Sequence, residues 1–229
     1  MYHRVLLKIS GEALSSETTV ICNETIHKTV MHLKTIWQTG VQIGVVVGGG
    51  NIVRGRSAAN MERNRADHMG MLATMINALA LQDALEKADV PCVVESAIDM
   101  ERICDSFSAR SAKKALEEGK IVIFACGSGC PFFSTDTAAA LRAAEIGADA
   151  LLLAKNVDAI YSADPKKDPN AVRYSRITYD RVVAENLRAT DLTAITLCKE
   201  QKIPIRVFAL DQIELIFEND SVGTHIQEI

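Results

Sequence analysis

The feature that most constrains this chain is the recurrence of short apolar, β-branched runs with helical patterns between them. Arg4–Ile9 (RVLLKI), Val41–Val47 (VQIGVVV), Pro91–Glu95, Ile121–Cys126 (IVIFAC), Ala150–Leu153 and Ile205–Leu210 read as strands. Between the first two, Ile26, Val30, Leu33 and Trp37 fall on one face at a period of 3.6, so the spacing predicts a helix capped by Asn23 and ended at Gly40. Further helices are predicted from Asp67 to Lys87, from Ser111 to Glu118 before Gly119, and from Thr135-Asp136 to Ile146 before Gly147. Thr178 and Thr190/Asp191 offer two more caps, and a short helix and an edge strand are expected near the end. Strands that alternate with helices need crossover connections, so they pair mainly in parallel and are covered on both faces. The fold expected is a three-layer αβα sandwich with a mainly parallel central sheet, spanning residues 1–229 as one domain.

Composition narrows the class. The chain is 48% hydrophobic and 24% charged, with a net charge of −4. It has no bulk basic field for nucleic acid or an anionic membrane, and neither is expected as a partner. Six cysteines without a C-x-x-C read as reduced thiols of a cytoplasmic protein. No signal-peptide pattern opens the chain, and its longest uncharged run, Thr35 to Val53, carries five glycines and is no bilayer span.

In open parallel sheets, ligands sit at the carboxyl ends of the strands, and the unusual residues here lie in the strand-to-helix loops. The first loop is Lys8-Ile9-Ser10-Gly11-Glu12; its lysine could neutralise a phosphoryl group or lie along the sheet edge, and a helix is expected to follow it and point its N-terminus at the site. The second, Gly48-Gly49-Gly50-Asn51, follows a buried strand. Without Cβ atoms its N–H groups can converge on an anion, although it is neither a Walker A motif nor a dinucleotide fingerprint. Arg54, Arg56, Arg63 and Arg65 follow as a local positive patch whose forks match phosphate. Asp67 opens the long helix, where it is either a helix-end charge or an acceptor for ribose hydroxyls; Met71, Met75 and Leu79 read as core. The third loop, Gly127-Ser128-Gly129-Cys130-Pro131-Phe132-Phe133-Ser134-Thr135-Asp136, brings hydroxyls and helix N-terminal amides suited to a phosphate or a pyrimidine edge, and Asp136 could orient Lys8 or hold a metal. The fourth, Lys155 to Pro165, sets Tyr161 among polar groups, as an adenine–ribose site or a surface turn would.

The strings RVLLKISGEAL, GVQIGVVVGGGNIVRG, RADHMGMLATMINALALQDAL, GCPFFSTDTAAALRAAEIGAD, VDAIYSADPKKDP, ATDLTAITL and KIPIRVF resemble the bacterial UMP kinases of the amino acid kinase superfamily, from about Tyr2 to Phe208. The resemblance implies transfer of the γ-phosphoryl of Mg-ATP to UMP, giving UDP and ADP in pyrimidine nucleotide biosynthesis. Matched residue by residue, Lys8, Ile9, Ser10, Gly11, Gly50, Arg54, Lys155, Asn156, Tyr161 and Asp164 fall where the family handles ATP. Gly49, Asp67, Ser128, Gly129, Cys130, Pro131, Phe132, Phe133, Ser134 and Thr135 fall where it handles UMP. Lys8, Asp136 and Asp191 are the implied catalytic group, with Mg²⁺ arriving with ATP and no metal ligand assigned. The N-terminal lobe is expected to bind mainly UMP and the C-terminal lobe mainly ATP. The resemblance also implies a homohexamer and feedback inhibition by UTP. One segment departs: Ser15–Asn23 has no glycine where the family carries a glycine-rich stretch linked to GTP activation, so GTP is expected to change the rate little. Ala159, where glycine is common, is expected to be tolerated. The competing readings are an acyl-phosphate-forming amino acid or carbamate kinase and a non-catalytic UTP/UMP sensor.

Overall fold

The computed structural model describes residues 2–53, 61–165, 167–187 and 190–228. Strand β1 (Arg4–Ile9) leads through a 3-10 turn at Gly11–Leu14 to helix α1 (Asn23–Gln38) and strand β2 (Gln42–Val47). Helix α2 (Arg63–Lys87) precedes β3 (Cys92–Ser96) and the two-residue β4 (Asp105–Ser106). Then come α3 (Ala109–Glu117), β5 (Ile121–Ala125), α4 (Thr135–Ile146) and β6 (Ala150–Lys155). A small hairpin of β7 (Ile160–Tyr161) and β8 (Arg173–Tyr174) follows, then β9 (Arg176–Ile177), α5 (Tyr179–Ala184), α6 (Leu192–Glu200) and β10 (Ile205–Ala209). The last elements are α7 (Leu215–Glu218) and β11 (Thr224–Ile226).

Nine strands form one sheet in the order β4-β3-β5-β2-β1-β6-β10-β11-β9. Every pairing is parallel except β10 with β11. The expected αβα sandwich is present. The late strand is not at the edge, however: β11 lies inside β9, with which it pairs in parallel.

Side-chain alternation along the strands builds two cores. Val5, Leu7 and Ile9 of β1, with Ile43, Val45 and Val47 of β2, pack with Ile26, Val30 and Leu33 of α1 and with Met71, Met75, Leu81 and Leu85 of α2. Leu6, Val46, Phe124, Leu151 and Leu153 pack on the other face with Ala139, Ala140, Ala143 and Ile146 of α4 and Ile195 and Cys198 of α6. Leu79 packs at the margin of the first core, half-buried. All six cysteines are free thiols, and among the described residues no helix is long and apolar enough to cross a membrane.

Helix ends follow local chemistry with three corrections. Gly147 ends α4 in the left-handed conformation, where a side chain would be strained. Thr178 caps α5, and of the pair Thr190/Asp191 it is Asp191 that caps α6, accepting from the Ala194 N–H. Asn23 does not cap α1: it is the first helical residue, and the cap position falls to Cys22, which gives no side-chain bond. Helix α2 begins at Arg63, a turn before Asp67, so Asp67 sits in the second turn. The first loop is followed by the 3-10 turn and a long segment, not directly by an α-helix, so no α-helix N-terminus follows it directly.

Candidate active site

The centre of the site follows from strand alternation. Leu6 lies on the α4 face of the sheet, so Lys8, two residues on, takes the same face at the carboxyl end of β1. On the neighbouring parallel strand Leu151 and Leu153 share that face, which brings Lys155 to the same place at the end of β6. Asp136, in the first turn of α4, meets both. Lys8 Nζ is 2.9 Å from Oδ1 and Lys155 Nζ is 2.6 Å from Oδ2. Oδ2 also accepts from the Thr190 hydroxyl at 2.9 Å. The Lys8 contact lacks hydrogen-bond alignment and is held by charge.

Lys8 and Asp136 are buried, and the electrostatics reflect it. Burial would raise the Asp136 carboxyl, but the two ammonium charges overcome it and hold the group well below the usual carboxylate range. One carboxylate cannot neutralise two ammoniums. Burial, against the pull of Asp136 and with the repulsion of Lys8, brings Lys155 below the ordinary lysine range. Lys8, Asp136 and Lys155 together carry a formal net positive charge at the carboxyl ends of two central strands, and the Asp191 carboxylate acts on Lys155 from a step away. The expected orientation of Lys8 by Asp136 is thus present in the geometry, and Lys155, matched only loosely by motif, stands beside it.

Asp191 sits at one step from this cluster. Its Oδ1 accepts from Thr137 Oγ1 at 2.8 Å and its Oδ2 from Ser134 Oγ. Ser134 in turn caps α4, accepting from the Asp136 and Thr137 N–H groups. Asp191 therefore ties the start of α6 to the start of α4, which carries Asp136.

Three cavities that share lining residues lie around this centre as one trough. A 180 Å³ pocket is lined by Gly49, Gly50, Asp67, Ser128, Cys130 and Thr135, among others. A 740 Å³ cleft beside it shares Asp67, Phe133, Ser134 and Thr135 with it and adds Lys8, Asp136, Lys155 and Asp191. A 670 Å³ cleft shares Lys155 with the central one and is lined by Val157, Tyr161, Asp164, Pro165 and Asn186. Along this trough most residues matched to UMP line the smaller pocket, and Lys155, Tyr161 and Asp164 of those matched to ATP line the 670 Å³ cleft, whereas Gly50, also matched to ATP, lines the smaller pocket; the lysine–aspartate cluster lies in the cleft between.

The smaller pocket is built by backbone geometry. Gly49 packs against α2 so closely that a Cβ would lie 2.8 Å from the Gly70 carbonyl oxygen and 2.9 Å from Ala73 Cβ. Gly129 has φ +78° and Phe132 φ +73°, and the Ser128 hydroxyl accepts from the Cys130 N–H at 3.2 Å. Asp67 Oδ2 accepts from the Phe132 N–H at 2.8 Å and from Arg63 Nε at 2.8 Å. Burial raises that carboxyl, but these two donors bring it net below its ordinary value. Arg63 also stacks over the exposed Phe132 ring. Pro131 and Phe133 complete the loop, with Phe133 half exposed in both the pocket and the central cleft.

At the far end, Tyr161 donates to Asp158 at 2.9 Å and Lys167 lies 3.7 Å from Asp164. Asn156 donates to Glu12 at 2.9 Å, joining the fourth loop to the first. Ser10 caps the 3-10 turn. The Ile9 side chain is fully buried in the core, so only its backbone faces the loop, and its carbonyl accepts from the Gly48 N–H. Gly11 meets the glycine turn directly.

The arginine patch is modified. Arg63 is paired with Asp67 and Arg65 with Glu62, so neither stands as an uncompensated charge. Arg54 and Arg56 lie outside the described residues. Among those described, no group of three metal-ligating side chains occurs, and the contacts of Asp136 are with Lys8, Lys155 and Thr190.

The sequence reading did not single out Thr74, Asn77 or the hydroxyl of Thr190 as site residues. Thr74 is buried in α2 and accepts from the Cys126 N–H at 2.8 Å, at the start of the third loop. Asn77 is fully buried and donates to the Gly48 carbonyl. The available signal was their placement: two polar residues on the stripe of α2 otherwise made of Met71, Ala78, Leu81 and Leu85.

A model of the amino acid kinase family matches residues 3–209. The chain is 33% identical to the UMP kinase of Bacillus anthracis, with a TM-score of 0.95 over 99% of this chain and 96% of that one. It is 37% identical to the UMP kinase of Ureaplasma parvum, with a TM-score of 0.93 over 100% of both chains. The uridylate kinase of Archaeoglobus fulgidus is 29% identical, with a TM-score of 0.74 over 97% of this chain and 99% of that one. The fold, the trough and these likenesses agree: the chain belongs to the amino acid kinase family, and within it to the UMP kinases.

Proposed function

We propose that the chain transfers the γ-phosphoryl of Mg-ATP to UMP, giving UDP and ADP, along the trough described above. The observation that carries this reading is the Lys8–Asp136–Lys155 cluster, positively charged and set between two cavities. The acceptor is the UMP phosphate, already an anion near neutral pH, so no general base is required and none is sought. The chemistry needs alignment and charge neutralisation of a loose, in-line transition state. Lys8 and Lys155 approach the transferring phosphoryl as donors; Asp136 holds both and Asp191 holds the helix start that carries Asp136. Gly49, Asp67 and residues 128–135 hold UMP, with Asp67 toward the ribose. Ser10, Gly11, Gly50, Asn156, Tyr161 and Asp164 hold ATP, Ile9 contributes through its backbone, and Arg54 joins them by motif. Mg²⁺ enters with ATP, held mainly by phosphate oxygens, and neutralises their charge. In this reading the chain acts as one domain, its N-terminal lobe mainly binding UMP and its C-terminal lobe mainly ATP.

The protein is proposed to work in the cytoplasm as a homo-oligomer, a hexamer by resemblance. Met69, Leu72 and Ile76, exposed at helical spacing on α2, support self-association. UTP is proposed to inhibit by competing at the UMP pocket. A coupled assay with UMP, CMP, dUMP, acetylglutamate and carbamate tests the function. Turnover with UMP far above the others is expected. Turnover with a carboxylate or carbamate, or tight UTP binding with no turnover, contradicts it.

A further inference from the structure

Asn51 follows the glycine turn and Asn77 lies fully buried in α2. Their amides meet face to face. Asn77 Nδ2 donates to Asn51 Oδ1 at 2.8 Å and Asn51 Nδ2 donates to Asn77 Oδ1 at 3.1 Å. Each amide has one more bond. Asn77 Nδ2 donates to the Gly48 carbonyl at 2.7 Å, and Asn51 Nδ2 donates to the Val20 carbonyl at 2.6 Å. The first loop closes on the same point: a Cβ on Gly11 would lie 2.3 Å from Asn51 Oδ1 and 2.6 Å from the Gly48 oxygen. Two side chains thus join the first loop, the Ser15–Asn23 segment, the glycine turn and α2.

The consequence for the turn follows from peptide planarity. The Gly48 C=O and the Gly49 N–H belong to one rigid trans plane and point in opposite directions. The N–H of Gly48 is already held by the Ile9 carbonyl at 2.9 Å. When Asn77 also takes the Gly48 carbonyl, it sets the direction of the Gly49 N–H, and Gly49 lines the acceptor pocket. A glycine turn has no Cβ atoms to restrict it and needs an outside hold to keep one conformation. We propose that Asn51 and Asn77 are positioning residues for phosphoryl transfer, fixing the Gly49 amide toward the acceptor phosphate. This inference rests on the reading that the Gly49 pocket receives UMP.

The amide chemistry makes the test specific. Asn77→Asp keeps the size but turns an oxygen toward both the Gly48 carbonyl and Asn51 Oδ1. Asn51→Asp keeps the bond between Asn77 and Gly48 and loses only the donations of Asn51. Steady-state kinetics for UMP and ATP, with thermal melts, are measured on both variants and the wild type. The expected result is a graded fall in kcat, about tenfold or more for Asn77→Asp and smaller for Asn51→Asp. KM for ATP stays within about twofold, and the loss persists well below either melting temperature, per folded molecule. Wild-type kcat in folded variants overturns the proposal, as does a loss that only follows the unfolded fraction. If Asn77→Asp does not fold, Asn51→Asp, at a half-buried position, decides by the same criteria. A wild type inactive on UMP would instead refute the reading of function.

Discussion

The two ends of the trough are built by different means. The end proposed for UMP is made of backbone turns held by buried or half-buried polar groups from neighbouring helices. Thr74 and Asn77 of α2 hold the third loop and the glycine turn, Asp67 holds Phe132, and Asp191 holds Ser134. The end proposed for ATP is made largely of side chains on a surface loop, whose contacts are exposed or half-exposed pairs such as Tyr161 with Asp158 and Lys167 with Asp164. Exposed ion pairs contribute little to rigidity. Backbone fixed by a core is costly to perturb; a side chain on a loop is replaceable. Substitutions at the first end should therefore affect turnover and folding together, and those at the second should affect ATP affinity alone.

The largest effect that sharpens this contrast is expected from Gly49→Ala. Its Cβ would meet backbone, not the flexible end of a side chain. Overpacking of this kind costs about 1–3 kcal/mol, and the displaced turn should lower kcat about 10²-fold. Thermal melts and initial rates check both; an unchanged kcat would break the comparison at its firmer end.

Asp136 gives the next effect, in pH. Its folded carboxyl is held below the unfolded value, which is about 3.9. The stability it contributes is therefore fully present above that unfolded value and is lost as pH falls through the lower folded one. Urea midpoints of the wild type and Asp136→Asn should differ by a constant amount from about pH 7 to pH 5 and converge below about pH 4. A difference that grows toward acid would have the wrong sign.

Tyr161→Ala should raise KM for ATP several-fold and leave kcat within about twofold, because the ring lines the far cleft and makes no contact with Lys8 or Asp136. A larger loss of kcat than of ATP affinity would show the two ends to be less distinct. The smallest effect is expected from GTP. The Ser15–Asn23 segment is pinned to the glycine turn through Val20 and Asn51, and it contains no glycine. Added GTP should leave the rate at fixed ATP within about twofold, and several-fold activation would contradict this.

Much of the fold was legible because alternation and helical period are local properties. VQIGVVV had to be a buried parallel strand, and TDTAAALRAAEI before Gly147 had to be a helix, and the structure places them at Gln42–Val47 and Thr135–Ile146. The start of α2 was not legible, since Arg63 and Asn64 carry no apolar periodicity; the polar turn joins the helix with Arg63 paired to Asp67. The inner position of β11 depends on the two-residue β9, too short to signal itself. In the site, the motif loops were visible one by one. Their meeting was not, because the contact of Lys155 with Asp136 depends on the register of β6 beside β1 and on where α4 begins. The hold of Asn77 on the glycine turn likewise spans 29 positions, from α2 to the turn after β2.

In the proposed transfer, the paired lysines on Asp136 neutralise the phosphoryl group in flight. The most direct test of this role is kcat for Lys8→Ala with saturating UMP and Mg-ATP, normalised to folded enzyme. A loss of roughly 10²–10³-fold, with both substrates still bound, is predicted; turnover near that of the wild type would contradict the account.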